Sequence, residues 1–199
     1  MALPNITLAS GSRYRLSLAS KLIPNIKSIA PDIDETPLVG EAPEALVARL
    51  AYQKATAAAQ QGTDGLFIGS DQVAIINGEP LSKPGDFDKA FEQLSYSSGK
   101  TVRFLTSLCL YNSVTKQHQD SVETFDVCFN TLTDELITLY LKAETPYDCA
   151  GSFKCEGLGI TLFKKLSGDD PNTLIGLPLI RLTEFLRNEG IEPLALHTR

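Results

Sequence analysis

Leu66-Phe67-Ile68-Gly69-Ser70-Asp71-Gln72-Val73-Ala74-Ile75-Ile76 is the clearest buried strand in the chain, and two polar residues stand in its middle. A run this apolar, closed by the turn signal Asn77-Gly78, predicts a strand of the interior with a tight reversal after it. A carboxylate inside such a strand needs a reason. Asp71 either caps a nearby turn or serves as a base or metal ligand where the strand opens on a cleft, and these residues alone leave both readings open.

Working back from this strand, Pro43 to Gln61 has the spacing of a strong helix. Leu46, Val47, Leu50, Ala51, Lys54, Ala55 and Ala58 recur at helical intervals, which puts Lys54 on or beside the packed face, where an ammonium needs a partner. The preceding segment, Pro31 to Pro43, reads as an acidic, proline-punctuated loop. Its Asp34 and Glu35 suit solvated surface acids as well as ligands. Earlier still, Asn5 to Ala9 predicts a short strand that enters a helix, Arg13 to Leu22, through Ser10-Gly11-Ser12, with a second short strand at Lys27 to Ala30. Such an entry offers amide N–H groups, two hydroxyls and a helix N-terminus to an anion, with Arg13 and Arg15 directly behind. The same residues also describe a serine-capped helix with two solvated arginines. The glycine and lysine spacing of a Walker loop is absent.

Working forward, Asp86 is placed to cap a helix to about Ser95. Thr101 to Asn112 and Gln119 to Phe129 read as two long strands joined like a hairpin through Ser113 to His118. Thr133-Asp134-Glu135 opens a helix with acids in its first turn, Ile160 to Leu166 reads as a strand, and Pro178 and Gly190 bracket a last helix. Helices and strands alternate early and strands pair in the middle, so the expected class is α/β with a mixed sheet flanked by helices. A chain of 199 residues suits a single domain, 1–199, with two lobes sharing a cleft as the variant arrangement.

Composition narrows the function. Hydrophobic residues at 43% and charged residues at 21% are ordinary globular usage. The 18 scattered basic residues against 24 acids, net charge −6, argue against a duplex nucleic-acid surface, so an anionic ligand has to be held locally. Cys109, Cys128, Cys149 and Cys155 form no C-x-x-C pair, which argues against a structural zinc site and for reduced thiols in the cytoplasm. Met1-Ala2-Leu3-Pro4 lacks the pattern of an export signal, and no apolar run approaches the roughly 18 residues of a membrane span. Hydrolysis of a phosphoanhydride needs a base for water, positive charge on phosphate oxygens and usually a hard divalent cation, and the chain offers a carboxylate and lysines for each part.

A resemblance gathers these pieces. Leu8-Ala9-Ser10-Gly11-Ser12-Arg13-Tyr14-Arg15, then Asp34-Glu35-Thr36-Pro37, then Gly69-Ser70-Asp71-Gln72-Val73 with Lys83-Pro84, and finally Cys149-Ala150-Gly151-Ser152-Phe153-Lys154-Cys155-Glu156-Gly157 resemble the Maf family in order and spacing over nearly the whole chain. Gln72, the run Gly151 to Gly157 and Asp169-Asp170-Pro171-Asn172-Thr173-Leu174 are similar to the branch that acts on 7-methyl-GTP. The branch acting on dTTP and UTP typically has threonine after the aspartate and Tyr-x-x-Gln where this chain has Phe153-Lys154-Cys155-Glu156. The resemblance implies an elongated α/β fold with a central cleft, related to the inosine triphosphate pyrophosphatases, and release of pyrophosphate that depends on Mg2+ or Mn2+. It implies Asp71 as proton acceptor with Lys54 and Lys83 as catalytic partners, and Glu35 with Asp71 at the metal. Ser10, Arg13 and Arg15 would bind the phosphates, and Tyr14, Gln72 and Glu156 would choose the base. The chain departs from the family pattern at Arg13, where proline is usual, at Leu16 instead of a second arginine, and at Ser82 before Lys83 instead of glycine. The expected partner is a small-molecule nucleotide, with no duplex nucleic acid and no membrane, and a homodimer is left open. Two alternatives stand beside this reading: a dTTP or UTP pyrophosphatase of the same family, and a non-catalytic nucleotide-binding regulator of septum formation.

Overall fold

The computed structural model describes residues 4–198, so Met1-Ala2-Leu3, part of the stretch read above for an export signal, lies outside the described residues. Among the described residues no helix is long and apolar enough to cross a membrane. The fold is α/β, with a mixed seven-stranded sheet in the order β2 (Lys27–Ile29), β1 (Asn5–Ala9), β3 (Gly65–Ile76), β5 (Thr101–Asn112), β6 (His118–Phe129), β7 (Phe163–Ser167), with β4 (Glu79–Leu81) added on β3 and helices flanking it. The chain divides into two compact units, and the long strands β3 (Gly65–Ile76), β5 (Thr101–Asn112) and β6 (His118–Phe129) give residues to both.

The first unit comprises Met1–Gln72, Thr106–Glu123 and Gly176–Arg199. Here β1 (Asn5–Ala9) lies between β2 (Lys27–Ile29) and β3 and runs parallel to both, with Leu8 opposite Ser28 on one side and Ile68 on the other. Two helices follow β1 and β2: α1 (Arg13–Ala19), and α2 (Pro43–Gln61), which starts with proline at a first-turn position where its missing N–H costs nothing. The small face of α2, Ala51, Ala55 and Ala58, packs with Ala9, Phe67 and Cys109 of the sheet. Alanines there, and Gly69 opposite, let the helix lie very close: a Cβ on Gly69 would stand 2.0 Å from the carbonyl oxygen of Ala51. Helix α6 (Leu179–Asn188) buries Leu179, Leu182, Phe185 and Leu186 at helical spacing.

The second unit comprises Val73–Leu105 and Thr124–Ile175. Strand β3 turns back into β4 (Glu79–Leu81) through Asn77 and Gly78, whose φ values of 52° and 86° are those a type I′ turn requires. Asp86 caps α3 (Phe87–Ser97) by accepting from Lys89 N at 2.9 Å, and Thr133 caps α4 (Asp134–Glu144). The core is aromatic, with Phe104, Phe129, Phe153 and Phe163 in edge-to-face pairs at centroid distances of 4.8 to 5.7 Å. Strand β7 (Phe163–Ser167) pairs antiparallel with β6 and is followed by the single-turn helix α5 (Pro171–Ile175). The expected strand at Ile160 to Leu166 is half realised. Leu158–Leu162 is a 3-10 turn, with Ile160 exposed, Leu162 buried and the Thr161 hydroxyl bonded back to Leu158 O, so extended pairing starts only at Phe163.

Candidate active site

Lys54 has the partners its position demanded. It projects from α2 at 7% exposure, and its Nζ lies 2.7 Å from Asp71 Oδ1 on β3 and 2.9 Å from Glu35 Oε1 on the loop before α2. The Asp71 side chain is enclosed, at 14% exposure, whereas that of Glu35 is 57% exposed. One ammonium therefore holds a sheltered carboxylate and an open one. The Asp71 peptide is fixed as well: its N–H donates to Ser107 Oγ at 3.1 Å, and the Ser107 hydroxyl donates to Val47 O of α2 at 2.6 Å. Ser107 is fully buried on β5 and ties the strand that carries Asp71 to the helix that carries Lys54.

The loop Ser10-Gly11-Ser12 enters α1 as expected, but part of its hydrogen-bonding capacity is spent locally. Ser10 Oγ accepts from Ser12 N at 3.1 Å and Ser12 Oγ accepts from Arg15 N at 3.4 Å, so the serines shape the turn and cap the helix. The Ser28 hydroxyl donates to Ser10 O and anchors the loop to β2. Arg15 is half-buried, and its Nε donates to Gly176 O at 2.9 Å. Enclosure pushes the Arg15 pKa down from its ordinary value, while the negative charges of Asp71 and Glu35 push it back up. Arg13 and Tyr14 pair with each other: the guanidinium carbon sits 5.0 Å from the ring centroid and Nη2 donates to the Tyr14 hydroxyl at 3.0 Å. Gln72 donates through Nε2 to the buried Thr106 hydroxyl at 2.7 Å.

Ser10, Arg13, Tyr14, Arg15, Glu35, Lys54, Asp71 and Gln72 all belong to the first unit, where Lys54 joins Asp71 and Glu35 and these two acids act on Arg15. Lys83 and Glu156 belong to the second. Lys83 is exposed between β4 and α3, followed by the buried Pro84. Glu156 is exposed on a segment pinned from α4: Lys154 N donates to the Tyr140 hydroxyl at 3.0 Å, Lys154 Nζ to Glu144 O at 2.8 Å, and Leu158 N to Glu144 Oε2 at 2.8 Å. Four residues at the site were not singled out from the sequence: Ser70, Thr106, Ser107 and Gly176. Thr106 and Ser107 carry the signal that marked Asp71 and Gln72, a polar pair inside an apolar strand.

The family model described as "Maf-like protein" matches residues 5–189. The chain belongs to the Maf family. The matched span contains every side chain described in this subsection. Among relatives of this Maf chain, a protein of Alcanivorax borkumensis named 7-methyl-GTP pyrophosphatase is 53% identical over 189 residues, 95% of this chain and 96% of that protein. Proteins of the same name from Nitrosococcus oceani and Idiomarina loihiensis are 51% and 50% identical, the first over 94% of both chains and the second over 98% of both.

Proposed function

We propose that this Maf protein is a nucleoside triphosphate pyrophosphatase that hydrolyses 7-methyl-GTP to 7-methyl-GMP and diphosphate in the cytoplasm. The observation that carries the chemistry is the enclosed Asp71 carboxylate. Lys54 holds one of its oxygens, the other makes no hydrogen bond among the described residues, and Arg15 and Glu35 lie beside it. The shared name of its relatives supports the substrate.

In this mechanism the open Asp71 oxygen accepts a proton from a water as the water oxygen forms a bond to the α-phosphorus. The bond from that phosphorus to the bridging oxygen breaks, and the electron pair leaves with diphosphate. Lys54 holds and aims Asp71, Lys54 and Lys83 oppose the negative charge that grows on the phosphate oxygens, and Arg15 grips phosphate oxygens throughout. Ser10 and Arg13 complete the phosphate contacts. A divalent cation, Mg2+ or Mn2+, suits the donors: Asp71 and Glu35 are hard carboxylate oxygens sharing one ammonium, and two carboxylates plus substrate phosphates are a common donor set for such an ion. Among the described residues no group of three or more His, Cys, Asp or Glu side chains forms a cage of its own. Asp71 and Glu35 would hold such an ion, which would supply positive charge to the phosphate oxygens.

Base choice falls to Tyr14, Gln72 and Glu156. The Glu156 carboxylate accepts from the N1–H and 2-amino edge of guanine, which pyrimidines do not display, and Tyr14 meets the cationic methylated ring, a contact worth about 0.5 to 2 kcal/mol. Arg13 already covers one face of Tyr14, so the base takes the opposite face or displaces Arg13.

The test is pyrophosphate release from 7-methyl-GTP, GTP, dTTP, UTP and ITP, with Mg2+ or Mn2+ and with chelator, by the wild type and Asp71→Asn. The expected result is metal-dependent release selective for 7-methyl-GTP, with kcat down at least about 100-fold in the variant and affinity changed much less. Selective release from dTTP or UTP would overturn the substrate, and binding without release from any of them would overturn the enzyme in favour of the regulator.

A further inference from the structure

The carbonyl of Gly176 receives two hydrogen bonds, from Arg15 Nε at 2.9 Å and from the Ser70 hydroxyl at 2.9 Å. Ser70 is fully buried and immediately precedes Asp71 on β3, and Gly176 opens the last segment of the first unit. The Gly176 backbone has φ of 121°, a conformation that side-chain-bearing residues rarely adopt, and a Cβ there would meet Arg15 Nε at 3.4 Å. The carbonyl has two lone pairs and two donors, so its direction is fully specified. Among the described residues the Nη groups of Arg15 make no hydrogen bond or ion pair, and Asp71 and Glu35 each give one oxygen to Lys54 rather than to Arg15. Arg15 is thus held by its inner edge while its outer edge, the fork that matches two phosphate oxygens, is unused within the protein.

We propose that Ser70 and Gly176 are positioning residues: through the shared carbonyl they set the Arg15 guanidinium at a fixed place beside Asp71, with its fork turned toward the phosphates of the nucleotide. The inference rests on the pyrophosphatase reading given above. Because Arg15 grips phosphate oxygens before and during the reaction alike, loosening it acts on substrate binding. Removing the Ser70 hydroxyl leaves the carbonyl with one donor and lets the guanidinium drift. A general weakening of the fold would instead reduce the amount of active enzyme, lowering kcat at unchanged KM.

The experiment is a double-mutant cycle on 7-methyl-GTP turnover with Ser70→Ala, Arg15→Ala and both, alongside thermal midpoints. Expected is a KM about 5-fold higher for Ser70→Ala with kcat changed less than about 2-fold, and no further rise when the substitution is added to Arg15→Ala. Equal KM increases from Ser70→Ala with and without Arg15, or a fall in kcat alone, would overturn the positioning role. If Ser70→Ala does not fold, the near-isosteric Ser70→Cys, a poorer donor, runs the same cycle and is read the same way. Absence of turnover by the wild type on every triphosphate is a different result, which strikes the pyrophosphatase reading.

Discussion

Gly69→Ala is the sharpest single test of how the site is assembled. The added methyl would stand 2.0 Å from the Ala51 carbonyl oxygen, 3.0 Å from its carbon and 3.0 Å from the Ala55 amide nitrogen, where ordinary contact begins at 3.4 Å. All three atoms are backbone, so no rotamer change relieves the clash, and α2 and β3 must part by about 1 Å or more at a cost of about 2 to 3 kcal/mol. Lys54 rides on that helix and Asp71 sits two residues along that strand, so the separation falls on their 2.7 Å contact and stretches it beyond hydrogen-bond length. A misplacement of that size lowers kcat by about 100-fold. The chain has no tryptophan, so unfolding is followed by circular dichroism in urea and by heating. The expected loss appears as a melting temperature lower by about 5 to 10 °C, beside pyrophosphate release from 7-methyl-GTP. Gly78→Ala is the control: its φ of 86° makes the substitution cost about 1 kcal/mol, but nothing lies within 4 Å of the new methyl, and turnover stays. A Gly69→Ala protein with wild-type melting and turnover would show that α2 does not seat on β3 at this glycine.

Lys54→Met removes the ammonium between Asp71 and Glu35; because Asp71 is enclosed and Glu35 is mostly solvated, the loss of about 2 to 3 kcal/mol in urea unfolding comes chiefly from Asp71, and stability at or above that of the wild type would refute it. Glu156→Gln lowers the preference for 7-methyl-GTP over pyrimidine triphosphates by about 10-fold, measured as the ratio of kcat/KM values, and an unchanged ratio removes Glu156 from base recognition. Burial, reinforced by the neighbouring acids Asp148 and Glu156, pushes the Cys149 and Cys155 thiols up to about 12. They stay protonated as pH rises through 8, with well under about one thiolate per thousand, so iodoacetamide labels them slowly in the native protein and readily in urea by mass spectrometry.

Periodicity made most of the architecture legible. Pro43 to Gln61 is a helix with the bounds expected from its spacing, and the same periodicity put Lys54 among packing alanines, from which the need for a counter-charge followed. The identity of that counter-charge did not follow, because Asp71 lies 17 residues away and meets Lys54 only once α2 folds back over β3. Short elements escaped: β4 has three residues with Pro80 in the middle, and α5 is one turn with no room for a repeat. At Ile160 to Leu166 the apolar content was right, but content does not separate a tight 3-10 turn from a strand. Arg15 was visible as an arginine behind a serine turn. Its anchor at Gly176 was not, since a backbone carbonyl 161 residues away leaves no mark in composition.

The order in which the first unit receives its pieces has a consequence for synthesis. Its segments Met1–Gln72, Thr106–Glu123 and Gly176–Arg199 are separated along the chain by both segments of the second, which is therefore complete while the first still lacks its last piece. A polypeptide emerging from the ribosome has already delivered Lys54, Asp71 and Ser70 long before it delivers the carbonyl that holds Arg15. A chain cut short by a premature stop ahead of Gly176 would therefore carry the acid and the lysine but not the anchor for the phosphate fork. Competence for turnover arrives only once Gly176 and the segment that follows it have been translated.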